Sequence, residues 1–353
     1  MSLRIALIST PFVPVPPKGY GGTELVVAEL ARSLTARGVE VVVYATGDSE
    51  LPGIELRSYF PAAQWPPDRD IERVHATWSL RDAARDPRGF DAVHVHSPCA
   101  VEMARLCPYP VIGTLHHDFD PELTDLYRRV PQVKLVAISR SQARREAAPV
   151  AAVIHHGLDP ARFTPMPEQG YLLFLGRYDR VKGVTEAIEV AVRAGLPLVM
   201  AGEVHERDYF EAEVKPLIAK HGVLEVGPVG GNRKTALLAR ARALLFPIEW
   251  EEPFGLVTIE ALLSGVPVLA TARGAVPEVV DDGVTGVICD DATEMVAAAR
   301  IADRLFNRER IRNQALERWT AARMADEYLR LYSAAQVDQF VAEEDEPDAA
   351  AEA

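Results

Sequence analysis

The stretch Trp250 to Pro267 reads W-E-E-P-F-G-L-V-T-I-E-A-L-L-S-G-V-P, and the rest of the chain is best understood from it. The apolar run just before it, Ala243-Leu244-Leu245-Phe246, predicts a buried parallel strand. Pro247 and Pro253 break the chain, and a short apolar helix is expected from about Gly255 to Leu263. Glu252 falls in the loop and Glu260 inside the helix, eight positions apart. Between them the helix N-terminus offers free amides and a positive dipole end, which favour an anion. Gly255 to Glu260 spans about 7.5 Å at ~1.5 Å per residue. Phosphates over the helix end could therefore meet Glu252 on one side and Glu260 on the other, each carboxylate accepting from hydroxyls. A nucleotide sugar has that shape. A plainer reading exists: Glu251 and Glu252 could simply complement the dipole. Glu260 resists it, because it lies among Val257, Ile259, Ala261 and Leu262, where an unpartnered carboxylate is costly to bury.

Upstream, a second α/β series starts at a strand over 171–175 and turns through G-R-Y-D-R-V-K-G, Gly176 to Gly183. A helix is expected over 184–194, then strands over 196–201, 223–226 and 266–270. Arg177 and Lys182 follow a strand end, five positions apart around a turn. A forked donor and a point charge together suit a diphosphate; the plainer role is surface charge balanced by Asp179. Pro149, Pro160, Pro165 and Pro167, with Gly157 and Gly170, mark the clearest break in composition.

The first half repeats the theme. A strand over 3–8 leads through prolines into K-G-Y-G-G-T-E, Lys18 to Glu24, and a helix carrying Val26, Val27, Leu30, Ala31 and Leu34 on one face. The glycines Gly19, Gly21 and Gly22 match neither the dinucleotide fingerprint nor the phosphate loop, so an NAD-dependent oxidoreductase is a remote reading. Strands over 91–95, 111–115 and 133–138 each end in polar residues, among them His96, His116 and Ser139. His94, inside its strand, reads as structural. Asp118 and Asp120 form a D-x-D, too few ligands to argue for a cation. Arg140, Arg144 and Arg145 read as a solvated basic face paired with Glu146, and leave a peripheral membrane contact open.

At 353 residues two domains are expected. A hydrophobic share of 48% and a charged share of 25% are those of a globular protein. The net charge of −13 argues against general nucleic-acid binding. Seven of the carboxylates lie from Asp338 onward with no Lys or Arg, so 336–353 reads as an acidic disordered tail. Three cysteines without C-x-x-C spacing point to a reducing cytoplasm and no metal site. Prolines interrupt the N-terminal apolar run, so neither a signal peptide nor a transmembrane segment is expected.

Taken together, G-Y-G-G-T-E, T-L-H at Thr114 to His116, G-R-x-x-x-x-K-G at Gly176 to Gly183, E-x7-E at Glu252 to Glu260, S-G-V-P-V at Ser264 to Val268 and R-M-x-x-x-Y at Arg323 to Tyr328 resemble the family-4 retaining glycosyltransferases of GT-B architecture. The resemblance spans roughly residues 1 to 333, and several motifs in order make it specific. His155-His156-Gly157-Leu158-Asp159 departs from the family's frequent N-G-I-D and, being near the linker, is expected to bear little on the site.

The resemblance implies an α/β protein of two Rossmann-like domains facing across a cleft. It places an acceptor-side domain at 1–155, a linker at 156–170, a donor domain at 171–318 and a helix at 319–335 returning to the first domain. Arg177 and Lys182 would neutralise the diphosphate. Glu260 would bind ribose, and Glu252 the donor sugar beside the Gly255, Leu256 and Val257 amides. Gly22 would approach the phosphate, His116 the donor sugar, and the main chain around Val229 the base. The implied reaction is metal-independent retaining transfer from a nucleotide-diphosphate sugar to a hydroxyl of a glycan, a lipid-linked or a small-molecule acceptor, with release of NDP and no cofactor. Alternatives on the same fold are a nucleotide-sugar epimerase and a non-catalytic sugar-nucleotide or glycan-binding protein.

Overall fold

The computed structural model describes residues 3–344. Its first sheet is built from β1 (Arg4–Ile8), β2 (Glu40–Tyr44), β3 (Glu55–Arg57), β4 (Ala92–Val95), β5 (Val111–Thr114), β6 (Lys134–Ala137) and β7 (Val150–Val153). They lie in the order β3-β2-β1-β4-β5-β6-β7 and every pairing is parallel. The second sheet contains β8 (Leu172–Leu175), β9 (Leu198–Ala201), β10 (Leu224–Glu225), β11 (Ala243–Phe246), β12 (Val268–Thr271) and β13 (Gly286–Cys289). Its order is β10-β9-β8-β11-β12-β13, again all parallel. Both sheets therefore reverse their winding direction once, between β1 and β4 and between β8 and β11. Such switch points open a crevice at the carboxyl ends of the strands, where α/β sheets bind ligands.

Sequence patterns account for the elements. β1, β4, β5 and β11 are buried at every position, as strands covered on both faces must be. The strands β3, β7 and β13 were not among those expected: E-L-R is short and half-exposed at the sheet edge, and V-A-A-V follows Pro149 in what reads as a break. The expected helices fall at Gly22–Thr35, Val184–Ala194 and Leu256–Leu263, the last headed rather than begun by Gly255, and a further helix spans Arg69–Ala84.

The final helix, Ala321–Glu344, crosses back to the first domain. Met324, Ala325, Tyr328 and Tyr332 are buried there with Ile5, Val26 and Leu30. The Tyr332 hydroxyl meets His94 Nδ1 at 2.8 Å, and the Tyr328 hydroxyl meets Thr114 Oγ1 at 2.7 Å. His94 Nε2 closes the network on the same Thr114 at 2.7 Å, so His94 is a structural anchor for the helix. Arg323 donates to the carbonyls of His155 and His156 at 2.6 and 2.9 Å. Backbone bonds from Leu158 N to Trp319 O and from Ala321 N to Leu158 O, both 2.9 Å, stitch the two interdomain crossings together. Gly157 is needed there, because a Cβ would lie 2.1 Å from Thr320 O. Glu29, on the first helix, accepts from Asp159 N and Arg162 at 2.8 and 2.7 Å and fixes the linker to the first domain.

One expectation is corrected. The segment 336–353, read as disordered from its charge, continues the helix as far as Glu344. S-A-A-Q-V-D-Q-F-V-A-E-E is rich in good helix formers, and local propensity outweighs the acidic excess. Residues 345–353 of that segment lie outside the described residues.

Candidate functional site

The loops after β8 and β11 interlock, and this brings Lys182 and Glu252 together across 70 positions. Glu249 N donates to Val181 O at 2.9 Å. Gly183, at φ 69°, lets the Pro247 carbonyl approach to a point where a Cβ would be 1.9 Å away. Lys182 Nζ then meets Glu252 Oε2 at 2.6 Å, and the indole of Trp250 donates to the same oxygen at 3.1 Å. The ammonium also lies 4.3 Å from the Trp250 ring centroid. Glu252 is only 8% exposed, so this pair needs each partner to offset the other's desolvation. The sequence reading gave Lys182 to a phosphate and Glu252 to a sugar; in this structure they hold each other.

Glu260 is 3% exposed and has a partner that the sequence reading missed. Lys234 Nζ lies 2.5 Å from Glu260 Oε1. Lys234 stands in the first turn of the helix Gly231–Arg240, where a cation opposes the dipole. That misplacement beside Gly230-Gly231 is the signal that marks it. Arg177 pairs with Asp179 at 3.1 Å, as the plainer reading had it, and also lies 5.9 Å from the Tyr20 ring of the first domain.

Gly255, at φ 83°, heads the helix Leu256–Leu263 with no side-chain cap. Its first amides, including those of Leu256 and Val257, thus meet the cleft without a carboxylate or hydroxyl over them. Gly22 faces this end directly: a Cβ there would be 3.5 Å from Leu256 Cδ1. A second approach joins the two domains at Gly230, where a Cβ would lie 2.5 Å from Lys18 O. Val229 occupies the loop just before it, after β10.

The opposing wall is made of histidines. His116, at the end of β5, shares a hydrogen bond with His96 Nδ1 at 2.9 Å. His116 stacks on His156, with centroids 5.2 Å apart and planes 17° apart, and His156 in turn packs edge-on to Phe254 of the E-x7-E loop. The departure at His155-His156, expected to matter little, is therefore part of the cleft wall. Burial pushes the His94 and His116 pKa values down to about 3, and those of His96 and His156 well below the usual imidazole range. Neighbouring imidazoles add to the effect. All four are neutral at physiological pH. His96 Nε2 and His156 Nδ1 are buried without a partner.

The D-x-D has structural duties. Asp118 pairs with Arg145, and Asp120 caps the helix Pro121–Arg128 by accepting from Glu122 N and Leu123 N. Glu146 accepts from Thr124 rather than pairing with the arginines. Among the described residues no helix is long and apolar enough to cross a membrane.

Comparison with known proteins agrees with this geometry. The family model for Glycosyltransferase Family 4 matches residues 20–197, half of the chain, and that for Glycosyl transferases group 1 matches residues 160–319. A glycogen synthase of Mycobacterium tuberculosis is 28% identical over 84% of this chain and 85% of its own length. A D-inositol 3-phosphate glycosyltransferase of Pseudarthrobacter chlorophenolicus is 24% identical over 81% and 83%. Among solved structures, AviGT4, a glycosyltransferase involved in avilamycin A biosynthesis, superposes with a TM-score of 0.74 at 29% identity, covering 95% of this chain and 98% of its own. Paired switch points, an uncapped helix end between two carboxylates, and these matches lead to one conclusion: the chain belongs to glycosyltransferase family 4, with the GT-B fold, and is a glycosyltransferase.

Proposed function

We propose that the chain transfers a sugar, with retention, from a nucleotide-diphosphate sugar to a hydroxyl acceptor. The observation that carries this is that Glu252 and Glu260, both buried and each paired with a lysine, lie just before and just inside the helix Leu256–Leu263, whose start is uncapped, with Arg177 on the loop after β8. Gly22 and His116 stand on the first domain's side of the cleft. A neighbour of the same fold, Anabaena Alr3699/HepE, has been solved with UDP-glucose, which agrees with a donor of this class.

In this reading the donor phosphates take Lys182 from Glu252, which frees the Glu252 carboxylate for sugar hydroxyls. Lys182, Arg177 and the Leu256 and Val257 amides stabilise the charge that grows on the leaving phosphate. Glu260, held by Lys234, accepts from the ribose hydroxyls, and the main chain near Val229 contacts the base. His116, neutral, hydrogen-bonds the donor sugar, with His96 fixing its tautomer. The acceptor oxygen bonds to the anomeric carbon on the face that the phosphate leaves. The anomeric carbon–oxygen bond breaks, NDP departs with the electron pair, and the acceptor proton passes to the departing phosphate. With these cations in place the reaction is proposed to need no metal.

A panel of UDP-, GDP-, ADP- and dTDP-sugars tests the reading. At least one should raise the unfolding temperature, and NDP should be released only when an acceptor is present. No stabilisation by any of them, or interconversion of the donor sugar without NDP release, would overturn it.

A further inference from the structure

Four aromatic side chains are strongly exposed among the described residues: Tyr20, Tyr59, Trp65 and Phe119. All stand on loops leaving the carboxyl ends of β1, β3 and β5, the acceptor side of the cleft. The second domain exposes no aromatic to that degree among the described residues. The loop carrying Tyr59 and Trp65 is tied to the cleft edge. Gln64 N donates to Pro11 O and Gly47 N to Phe60 O, both at 2.9 Å, which packs it on the loops after β1 and β2.

Behind this loop a groove of about 470 Å³ runs along the helix Arg69–Ala84. Val74, Trp78, Arg81 and Arg85 line it at helical spacings of four, three and four, one stripe of that helix carried past its end. Tyr59 roofs the stripe, its ring 5.8 Å from that of Trp78. The charges in the groove are not balanced. Asp82 already accepts from the Tyr44 hydroxyl at 2.9 Å and from Arg57 at 2.8 Å. Arg73 is held by Glu102 at 3.3 Å. Arg81 and Arg85 are exposed, and neither guanidinium has an ion-pair partner among the described residues. These two guanidinium groups stand beside the Tyr59 and Trp78 rings along one groove of a chain of net charge −13. Guanidinium forks match carboxylates in geometry. Aromatic rings offer flat apolar faces, which suit the C–H face of a pyranose.

We propose that this groove is an acceptor subsite for an acidic oligosaccharide, whose rings stack on Tyr59 and Trp78 and whose carboxylates pair with Arg81 and Arg85. The chain would enter the cleft past Trp65, so the proposal rests on the first domain being the acceptor side. A bilayer fits the site poorly, because Arg73, Thr77 and Asp82 share the lining with the aromatic rings. Its size is that of a small-molecule or oligosaccharide site.

The test is titration of the whole chain, followed by tryptophan fluorescence, with a short oligogalacturonate, a malto-oligosaccharide of the same length and phosphatidylglycerol vesicles. The variants are R81E/R85E and Y59A, all at exposed positions, with unchanged unfolding temperature as the control for folding. The oligogalacturonate should bind, and the neutral sugar should bind about tenfold more weakly or worse. R81E/R85E should lose about tenfold or more of the oligogalacturonate affinity, and Y59A should weaken both sugars. Stabilisation by nucleotide sugars should be unchanged in both variants. The proposal is overturned if no oligosaccharide binds, if charged and neutral sugars bind alike, if R81E/R85E binds like the parent, or if vesicles alone respond to the substitutions. Because donor binding is read separately, failure of the donor reading would show as absent nucleotide-sugar stabilisation with the groove titration intact.

Discussion

The two walls of the cleft are built from the same supersecondary unit and carry opposite chemistry. The second-domain wall is ionic: Lys182 with Glu252, Lys234 with Glu260, and Arg177 with Asp179. The first-domain wall is largely neutral, a row of imidazoles at His96, His116 and His156 whose pKa values burial drives down, backed by the Tyr332 and Tyr328 hydroxyl network, with the Arg145 guanidinium reaching the Glu251 carbonyl. A strand order shared except for the additional β7 of the first sheet thus leaves function to the residues at the strand ends. On the proposed reading the lysines of the second wall neutralise the diphosphate, while the imidazoles of the first order hydroxyls.

The strongest way to break the contrast is at Lys182. K182M should lower turnover by about 10²–10³-fold if it stabilises the leaving phosphate as other preorganised electrostatic groups do. It also strands Glu252 in a site 8% exposed; stability should fall by a few kcal/mol, approaching the ~3–5 kcal/mol for fully buried pairs. K182M/E252Q should recover most of that stability but not the turnover, which separates the pair's structural from its chemical role by thermal unfolding and initial rates. On the same wall, K234M should raise the donor KM more than it lowers kcat, because Lys234 acts through Glu260.

A change on the neutral wall should show in pH rather than salt. His94 and His116 have folded pKa values near 3 against about 6.5 unfolded. Their neutral forms are favoured by folding, so the unfolded chain binds more protons between those values. Stability is fully present above about pH 6.5 and is lost as pH falls toward 3. H94N should flatten that acid limb in urea unfolding experiments. Y332F should cost about 1–3 kcal/mol by leaving a nitrogen of buried His94 without its partner, with donor affinity unchanged. The smallest effect is expected at the exposed Arg37–Asp326 pair, where D326A should change stability by about 1 kcal/mol or less.

These contrasts also explain which parts were legible in the sequence. Strands buried on both faces announce themselves as apolar runs, so the sheets and their polar ends could be read directly. Glu260 was legible because a carboxylate among Val257, Ile259 and Leu262 violates the pattern of its own helix. Its partner was not, because Lys234 lies 26 positions away and only tertiary packing joins them. The Lys182–Glu252 pair was hidden for the same reason: both residues were singled out, but nothing local says that loops after β8 and β11 interlock through Gly183 and Pro247. His156 was discounted for standing near the linker. Proximity in sequence to a linker says little when the linker itself runs beside the cleft. At the C-terminus, charge composition suggested disorder, while helix propensity carried the helix to Glu344.

The division of labour between the walls can be measured directly by calorimetric titration of NDP into the parent, K182M and H116A, with turnover recorded for each. NDP carries the phosphates but no sugar. The account predicts that K182M loses about tenfold or more of NDP affinity, while H116A keeps it within about twofold and still loses turnover. Equal NDP affinity in the parent and K182M, or a loss in H116A as large as in K182M, would contradict it.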